Sequence, residues 1–87
     1  MCTMIAENTA IAGSGKGPQG WFAVDKAIVT YDHPFHADFE HALNIDFVNE
    51  AQGPGARVAV ELSAESARRL VDSILAALSR ADAQGVA

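Results

Sequence analysis

From residue 3 to residue 62, apolar residues alternate with polar or small residues, which is the pattern of β-strands. The alternation predicts four strands, at residues 3–12, 21–31, 40–48 and 56–62. The glycine-rich run over residues 13–20 predicts a loop between the first two strands, and residues 49–55 predict a turn before the fourth. The second strand is apolar on both faces, which is typical of a strand that is covered on both sides.

After residue 63 the apolar period changes to that of a helix. The apolar positions, three or four residues apart, are Ala67, Leu70, Val71, Ile74, Ala77, Leu78 and Ala81. Ser63 is a favourable N-cap and Glu65 places a negative charge in the first turn, so a helix is predicted over residues 64–83. Successive strands with short connections favour an antiparallel sheet. The predicted fold is therefore α+β, a four-stranded, mostly antiparallel sheet with one C-terminal helix packed on one face.

The length of 87 residues predicts a single domain over residues 1–87, because two cores cannot both be built from so short a chain. One amphipathic helix covers only one face of the sheet. The apolar residues on the other face of the second strand then need a partner, and the simplest partner is a second copy of the chain. We therefore expect a homodimer or a higher symmetric oligomer that is joined through sheet faces.

Composition and charge narrow the choice of partners. Hydrophobic residues make up 49% of the chain, as in folded proteins. The net charge of −5 disfavours nucleic acids and anionic membranes as partners. No apolar run approaches the roughly 18 residues of a membrane helix, and the N-terminus does not resemble a signal peptide.

The one cysteine, Cys2, excludes an internal disulfide. We expect a cytoplasmic protein in which Cys2 is an apolar strand residue or, if Met1 is removed, a reactive thiol.

The most distinctive stretch holds all three histidines, His33, His36 and His41, within nine residues. Imidazoles are common ligands of divalent metals, and three of them leave a zinc ion an open position for water or substrate. Pro34 bends the chain there, which allows the histidines to turn toward one point. The stretch therefore predicts a metal site, with zinc as the favoured ion. The spacing matches no recognised zinc motif, however, and the other interpretation is that the histidines are ordinary solvated or hydrogen-bonded residues.

A metal site of this kind would polarise a small-molecule substrate or activate water, which suggests a metal-dependent enzyme. In that interpretation Glu40 or Asp38 acts as general acid or base and Tyr31 as an auxiliary proton donor. The alternative is a non-catalytic oligomeric module. It would use the apolar sheet face and the loop over residues 13–20 to hold a small ligand or a protein partner.

Several elements together resemble a family of short bacterial proteins that is common in actinobacteria and known only as a domain of unknown function. The elements are Met1-Cys2-Thr3, Gly13-Ser14-Gly15-Lys16-Gly17, Gly20-Trp21-Phe22, Tyr31-Asp32-His33-Pro34, Glu40-His41, Leu43-Asn44-Ile45-Asp46-Phe47 and Ala56-Arg57-Val58-Ala59-Val60-Glu61-Leu62. The resemblance extends to about Leu78. It implies a protein that stands alone, and it implies no particular activity.

Overall fold

A computed structural model of the chain describes residues 5–87. These residues form four strands and then one helix, with a short 3-10 turn, Glu50–Gln52, before the last strand. The elements are β1 (Ile5–Gly17), β2 (Gly20–Asp32), β3 (Ala42–Val48), β4 (Arg57–Leu62) and α1 (Ala64–Ala83). The strands lie in the sheet in sequence order, each antiparallel to the next. The predicted α+β fold, an antiparallel four-stranded sheet followed by a C-terminal helix, is confirmed.

The register places the apolar residues of the central strands on one face of the sheet. Directly paired residues in antiparallel strands point to the same side. This apolar face consists of Ala27, Val29 and Tyr31 of β2, Leu43, Ile45 and Phe47 of β3, and Val58, Val60 and Leu62 of β4. The opposite face carries mainly polar residues, among them Thr30, Asn44, Asp46 and Glu61.

The prediction of a loop over residues 13–20 is wrong for most of these residues. β1 continues through the glycines to Gly17, and only Pro18 and Gln19 separate it from β2. Pairing between strands uses backbone groups, so glycines can take part in it although they have no side chains. A bulge between Ala10 and Gly13 marks the point where the register changes.

The far half of the β1–β2 hairpin curls toward β4. β2 pairs with β3 only from Lys26 onward, because Lys26 is opposite Val48, the last residue of β3. The part of β2 before Lys26 therefore extends beyond the end of β3. A Cβ placed on Gly17 would lie 3.2 Å from the carbonyl oxygen of Gly55. Asn49, which is buried, links the two parts, since its Nδ2 donates to the carbonyl of Ala23 at 2.9 Å. The curl encloses a small space between the hairpin and the start of β4.

The third strand begins at Ala42, two residues later than predicted, and the helix has the predicted bounds. The Ser63 hydroxyl accepts a hydrogen bond from the N–H of Ser66 at 3.1 Å, which caps the helix as expected. The helix contacts β3 and β4 near its N-terminus, where Ala64 and Ala67 lie beside Leu43. Within the described residues, no helix has the combination of length and apolar character needed to cross a membrane.

The core of a single chain is small. The buried apolar residues are Val24, Ala27, Ala42, Val48 and Ala56, three of which are alanines. None of the large side chains in residues 5–87 is fully buried. The Cα radius of gyration is 14.6 Å, whereas a compact domain of this length has a value of about 12 Å. Much of the apolar surface of this chain therefore remains uncovered.

Candidate functional site

The histidine stretch forms the connection between β2 and β3, and it brings two of the three histidines together. His33 directly follows β2 and His41 directly precedes β3, so the ends of two neighbouring antiparallel strands hold them side by side. Their rings stack with centroids 4.8 Å apart and an interplanar angle of 24°. The Tyr31 ring continues the stack, with its centroid 6.0 Å from that of His41.

The His33 ring is oriented by the loop itself. Its Nδ1 lies 2.7 Å from the carbonyl oxygen of Glu40, a distance at which Nδ1–H donates to that oxygen. The backbone N–H of His33 donates to Oδ1 of Asp32 at 2.8 Å. A neutral imidazole that donates from Nδ1 keeps the lone pair on Nε2. His33 therefore presents Nε2 as a hydrogen-bond acceptor or a ligand atom.

A carboxylate on β4 binds the middle of the loop. Glu61 accepts hydrogen bonds from three successive backbone N–H groups: Phe35 at 2.6 Å, His36 at 3.0 Å and Ala37 at 2.8 Å. Three converging amides satisfy most of the acceptor capacity of one carboxylate. They also fix the loop against the polar face of the sheet. We call Glu61 together with these three amides the Glu61 clamp.

The clamp lowers the pKa of Glu61 below the usual value for a glutamate. The hydrogen bond from Ala37 contributes most, followed by the one from Phe35, because both favour the ionised carboxylate. Partial desolvation acts in the opposite direction, and the nearby His36 ring adds a smaller lowering effect. Glu61 is therefore an anion that anchors the loop, and it is poorly suited to accept protons near neutral pH.

The side chains of the other predicted site residues do not join the stack of rings that Tyr31, His41 and His33 form. His36 lines a separate cavity with Phe35, Arg57 and Glu61. Asp38 and Glu40 are exposed, and their carboxylates accept no hydrogen bond from any described residue. Within residues 5–87 no group of three or more His, Cys, Asp or Glu side chains has the geometry to hold a metal ion. Cys2, the other proposed reactive group, lies outside the described residues.

The polar face beside the loop contains a cavity of about 370 Å³. Asp32, His33 and Asn44 line it on one side. On the other side Arg57 binds Asp46 through two nitrogens, Nε at 3.0 Å and Nη2 at 2.8 Å from Oδ1. The carboxylates of Asp46 and Glu61 in this lining are already bonded within the chain, so they have little free capacity to accept hydrogen bonds from a ligand.

No local pattern in the sequence indicates the Glu61 clamp. Glu61 occupies an ordinary polar position in the alternation of β4, and it lies 24 to 26 residues from its partners. The only available indication is that its side chain shares the polar face with Asn44, to which it is paired in the sheet register.

Comparison with known sequences identifies a matching family. A sequence family described as a family of unknown function (DUF6295) matches residues 1–87. The expected resemblance to a domain of unknown function is thereby confirmed, and the match extends beyond Leu78 to the end of the chain. No curated protein and no solved structure matches the chain.

Proposed function

The chain belongs to DUF6295, a family of unknown function, and from its own surfaces we propose that it acts as a homodimeric interaction module joined through α1. One observation carries this proposal. Every residue from Arg68 to Arg80 is exposed in the single chain, although this segment holds most of the large apolar residues of the helix. A helix with an apolar stripe is stable in water only when another surface covers that stripe.

The exposed residues have the spacing of a helix-pairing seam. Val71, Ile74 and Leu78 follow one another by three and four residues, as the a and d positions of a heptad do. Ala81 continues the same repeat toward the C-terminus of α1, whereas Ala64 and Ala67, at the corresponding positions near the N-terminus, lie beside Leu43 of the same chain. Leu70 and Leu75 flank the seam and are 42% and 59% exposed. We call the stripe of Val71, Ile74 and Leu78 the seam. Together with the two flanking leucines, it is wide enough to cover one side of a second helix.

The exposed area of the chain also fits a dimer. The chain exposes 6469 Å². A folded monomer of 9.1 kDa exposes about 4,900 Å² by the usual size relation. The difference, roughly 1,600 Å², exceeds the ~800 Å² that each partner buries in a standard interface. A second copy of this chain has apolar surface of the same extent to offer, and symmetric pairing lets both copies cover it at once.

Charges beside the seam favour antiparallel helices. With Val71 and Leu78 at a positions, Arg68 and Asp82 both occupy e positions. In an antiparallel pair, e positions of one helix lie beside e positions of the other, so Arg68 lies near Asp82 of the partner subunit, and two-fold symmetry makes this pair twice. In a parallel pair e positions lie beside g positions, which Leu70 and Ala77 occupy.

Charge reversal with rescue tests this arrangement. We expect Arg68→Asp to weaken dimerisation roughly fivefold, because it places two acidic groups side by side at each edge of the seam. Asp82→Arg should weaken it similarly. Sedimentation equilibrium at low salt should show affinity restored in the double variant Arg68→Asp/Asp82→Arg. Two single variants that weaken the dimer without any rescue would contradict the antiparallel arrangement.

A second candidate function, binding of zinc by His33 and His41, is favoured by the orientation of the His33 ring. Histidines that bind metals usually donate their other ring N–H to a carbonyl or carboxylate, as His33 Nδ1 does to Glu40. The catalytic roles predicted for Glu40, Asp38 and Tyr31 depend on this candidate. They have no support apart from the stacking of Tyr31 on His41.

Zinc loading tests the second candidate. Untagged protein is incubated with zinc, dialysed and analysed for metal by mass spectrometry. We expect retained zinc in the wild type and a loss of it in His33→Ala and His41→Ala, because each variant removes one ligand nitrogen. His36→Ala serves as the comparison, since His36 lies outside the stack. A wild type that remains metal-free after loading would contradict this candidate.

A further inference from the structure

We propose that a cavity beneath the curled β1–β2 hairpin binds small apolar carboxylic acids. This hairpin cavity has a volume of about 320 Å³ and lies between the hairpin and the apolar face of the sheet. It opens beside Phe47 at the end of β3 and Val58 at the start of β4. The helix starts at the other end of these strands, near Leu43 and Leu62. The site therefore goes beyond the proposed dimer and does not depend on it.

The walls of the hairpin cavity are mostly apolar, and Ser14 and Lys16 are the polar residues of its lining. Ile11 of β1, Val24 of β2, Phe47 and Val58 form the apolar walls, and Trp21 lies at the rim with 71% of its surface exposed. A pocket with apolar walls and few polar groups is typical of sites for small organic molecules. An exposed tryptophan at such a rim adds a flat apolar surface that a ligand can cover.

Two glycines give the cavity its space. A Cβ at Gly15 would lie 3.0 Å from Cγ2 of Val24 and 3.5 Å from Cγ2 of Val58, so a side chain there would fill the narrow part of the cavity. A Cβ at Gly13 would meet nothing within 4 Å. Glycine at both positions keeps an open volume next to the apolar walls.

The charge at the rim selects the chemical class of the ligand. Of the residues that the structure describes, Lys16 is the only ionisable one that lines the hairpin cavity. Among residues 5–87 its ammonium takes part in no ion pair, whereas Lys26, Arg57 and Arg69 each have a carboxylate partner. An apolar pocket with a single positive group at its mouth is complementary to a molecule with an apolar body and one carboxylate.

Octanoate is the probe for the first test, with octylamine and octanol as controls of the same chain length. Trp21 is the only tryptophan of the chain and lies at the rim, so its fluorescence reports binding directly. We expect octanoate to shift and saturate the Trp21 emission of the full-length protein. Octylamine should not bind, and octanol should bind more weakly than octanoate. Tighter binding of octylamine, or no saturable response to octanoate, would overturn the proposal.

Two variants locate the site. Gly13→Leu should abolish octanoate binding, because it fills the cavity from a position where a side chain meets no clash. Lys16→Met should weaken binding roughly fivefold by removing the counter-charge. Lys26→Met, which removes a lysine that is paired with Glu50 away from the cavity, is the matched control and should bind like the wild type. Unchanged binding in Gly13→Leu would place the ligand elsewhere and overturn the assignment.

Discussion

The Ile74→Glu variant is expected to be monomeric at concentrations at which the wild type is a dimer. Ile74 lies at a d position in the middle of the seam, and its side chain is half-exposed in the single chain. Two-fold symmetry brings two new carboxylates into the centre of an apolar interface, where charges are costly to bury and have no partner. The dimer dissociation constant should rise about a thousandfold.

The neighbouring residue offers a matched control. Ser73 lies at a c position, on the side of α1 away from the seam, so Ser73→Glu adds the same charge to the same turn without entering the interface. We expect Ser73→Glu to remain dimeric by sedimentation velocity. A dimer that withstands Ile74→Glu, or one that Ser73→Glu disrupts equally, would show that the seam has been assigned to the wrong face of the helix.

Replacing Glu61 with alanine is expected to release the histidine loop while the sheet stays intact. The variant removes the carboxylate that, among residues 5–87, accepts from the amides of Phe35, His36 and Ala37. Because these amides lie near the surface, water replaces the carboxylate and the loop becomes free to move. Amide hydrogen exchange followed by NMR should show rates for these three residues that are at least about tenfold faster. The contact between His33 and His41 should weaken together with them.

Glu50→Ala is the control for the clamp, since Glu50 is an exposed carboxylate whose ion pair with Lys26 lies away from the loop. Its loop amides should exchange at wild-type rates. If the three amides remain equally protected in Glu61→Ala, the loop is held by other contacts and the Glu61 clamp has no structural role.

The same clamp predicts a loss of loop order in acid. The pKa of Glu61 is lower in the folded chain than in the unfolded chain, mainly because of the amide of Ala37 and then that of Phe35. The stabilisation from Glu61 is therefore complete above the ordinary glutamate pKa and is lost as the pH falls through the lowered value. We expect the exchange rates of the loop amides in the wild type, corrected for their intrinsic pH dependence, to approach those of Glu61→Ala only when the pH falls below the lowered pKa of Glu61.

The secondary structure could largely be predicted from the sequence because it depends on local signals. The Ser63 cap and the apolar period of α1 identify the helix, and alternation identifies β3 and β4. The strand through Gly13 and Gly17 was missed because glycines show no alternation, and their pairing depends on the partner strand alone. Local composition therefore indicated a loop where the register imposes a strand.

The arrangement of the site was harder to predict because it depends on contacts between distant residues. Clustering of the histidines in sequence predicts a three-histidine site. In the structure the strand ends bring His33 and His41 together, and Glu61 binds the backbone of His36. The helical period of the apolar residues predicts the stripe of α1 correctly, but it does not identify the surface that covers the stripe. Its period is the same whether the covering surface belongs to the same chain or to a second copy.

Sedimentation equilibrium of the untagged wild-type protein, over a range of concentrations, tests the central claim most directly. We predict a mass of twice 9.1 kDa that falls toward the mass of one chain only on strong dilution. A mass of 9.1 kDa at every concentration would contradict the proposal that α1 joins two copies, and the exposed seam would then require a different partner.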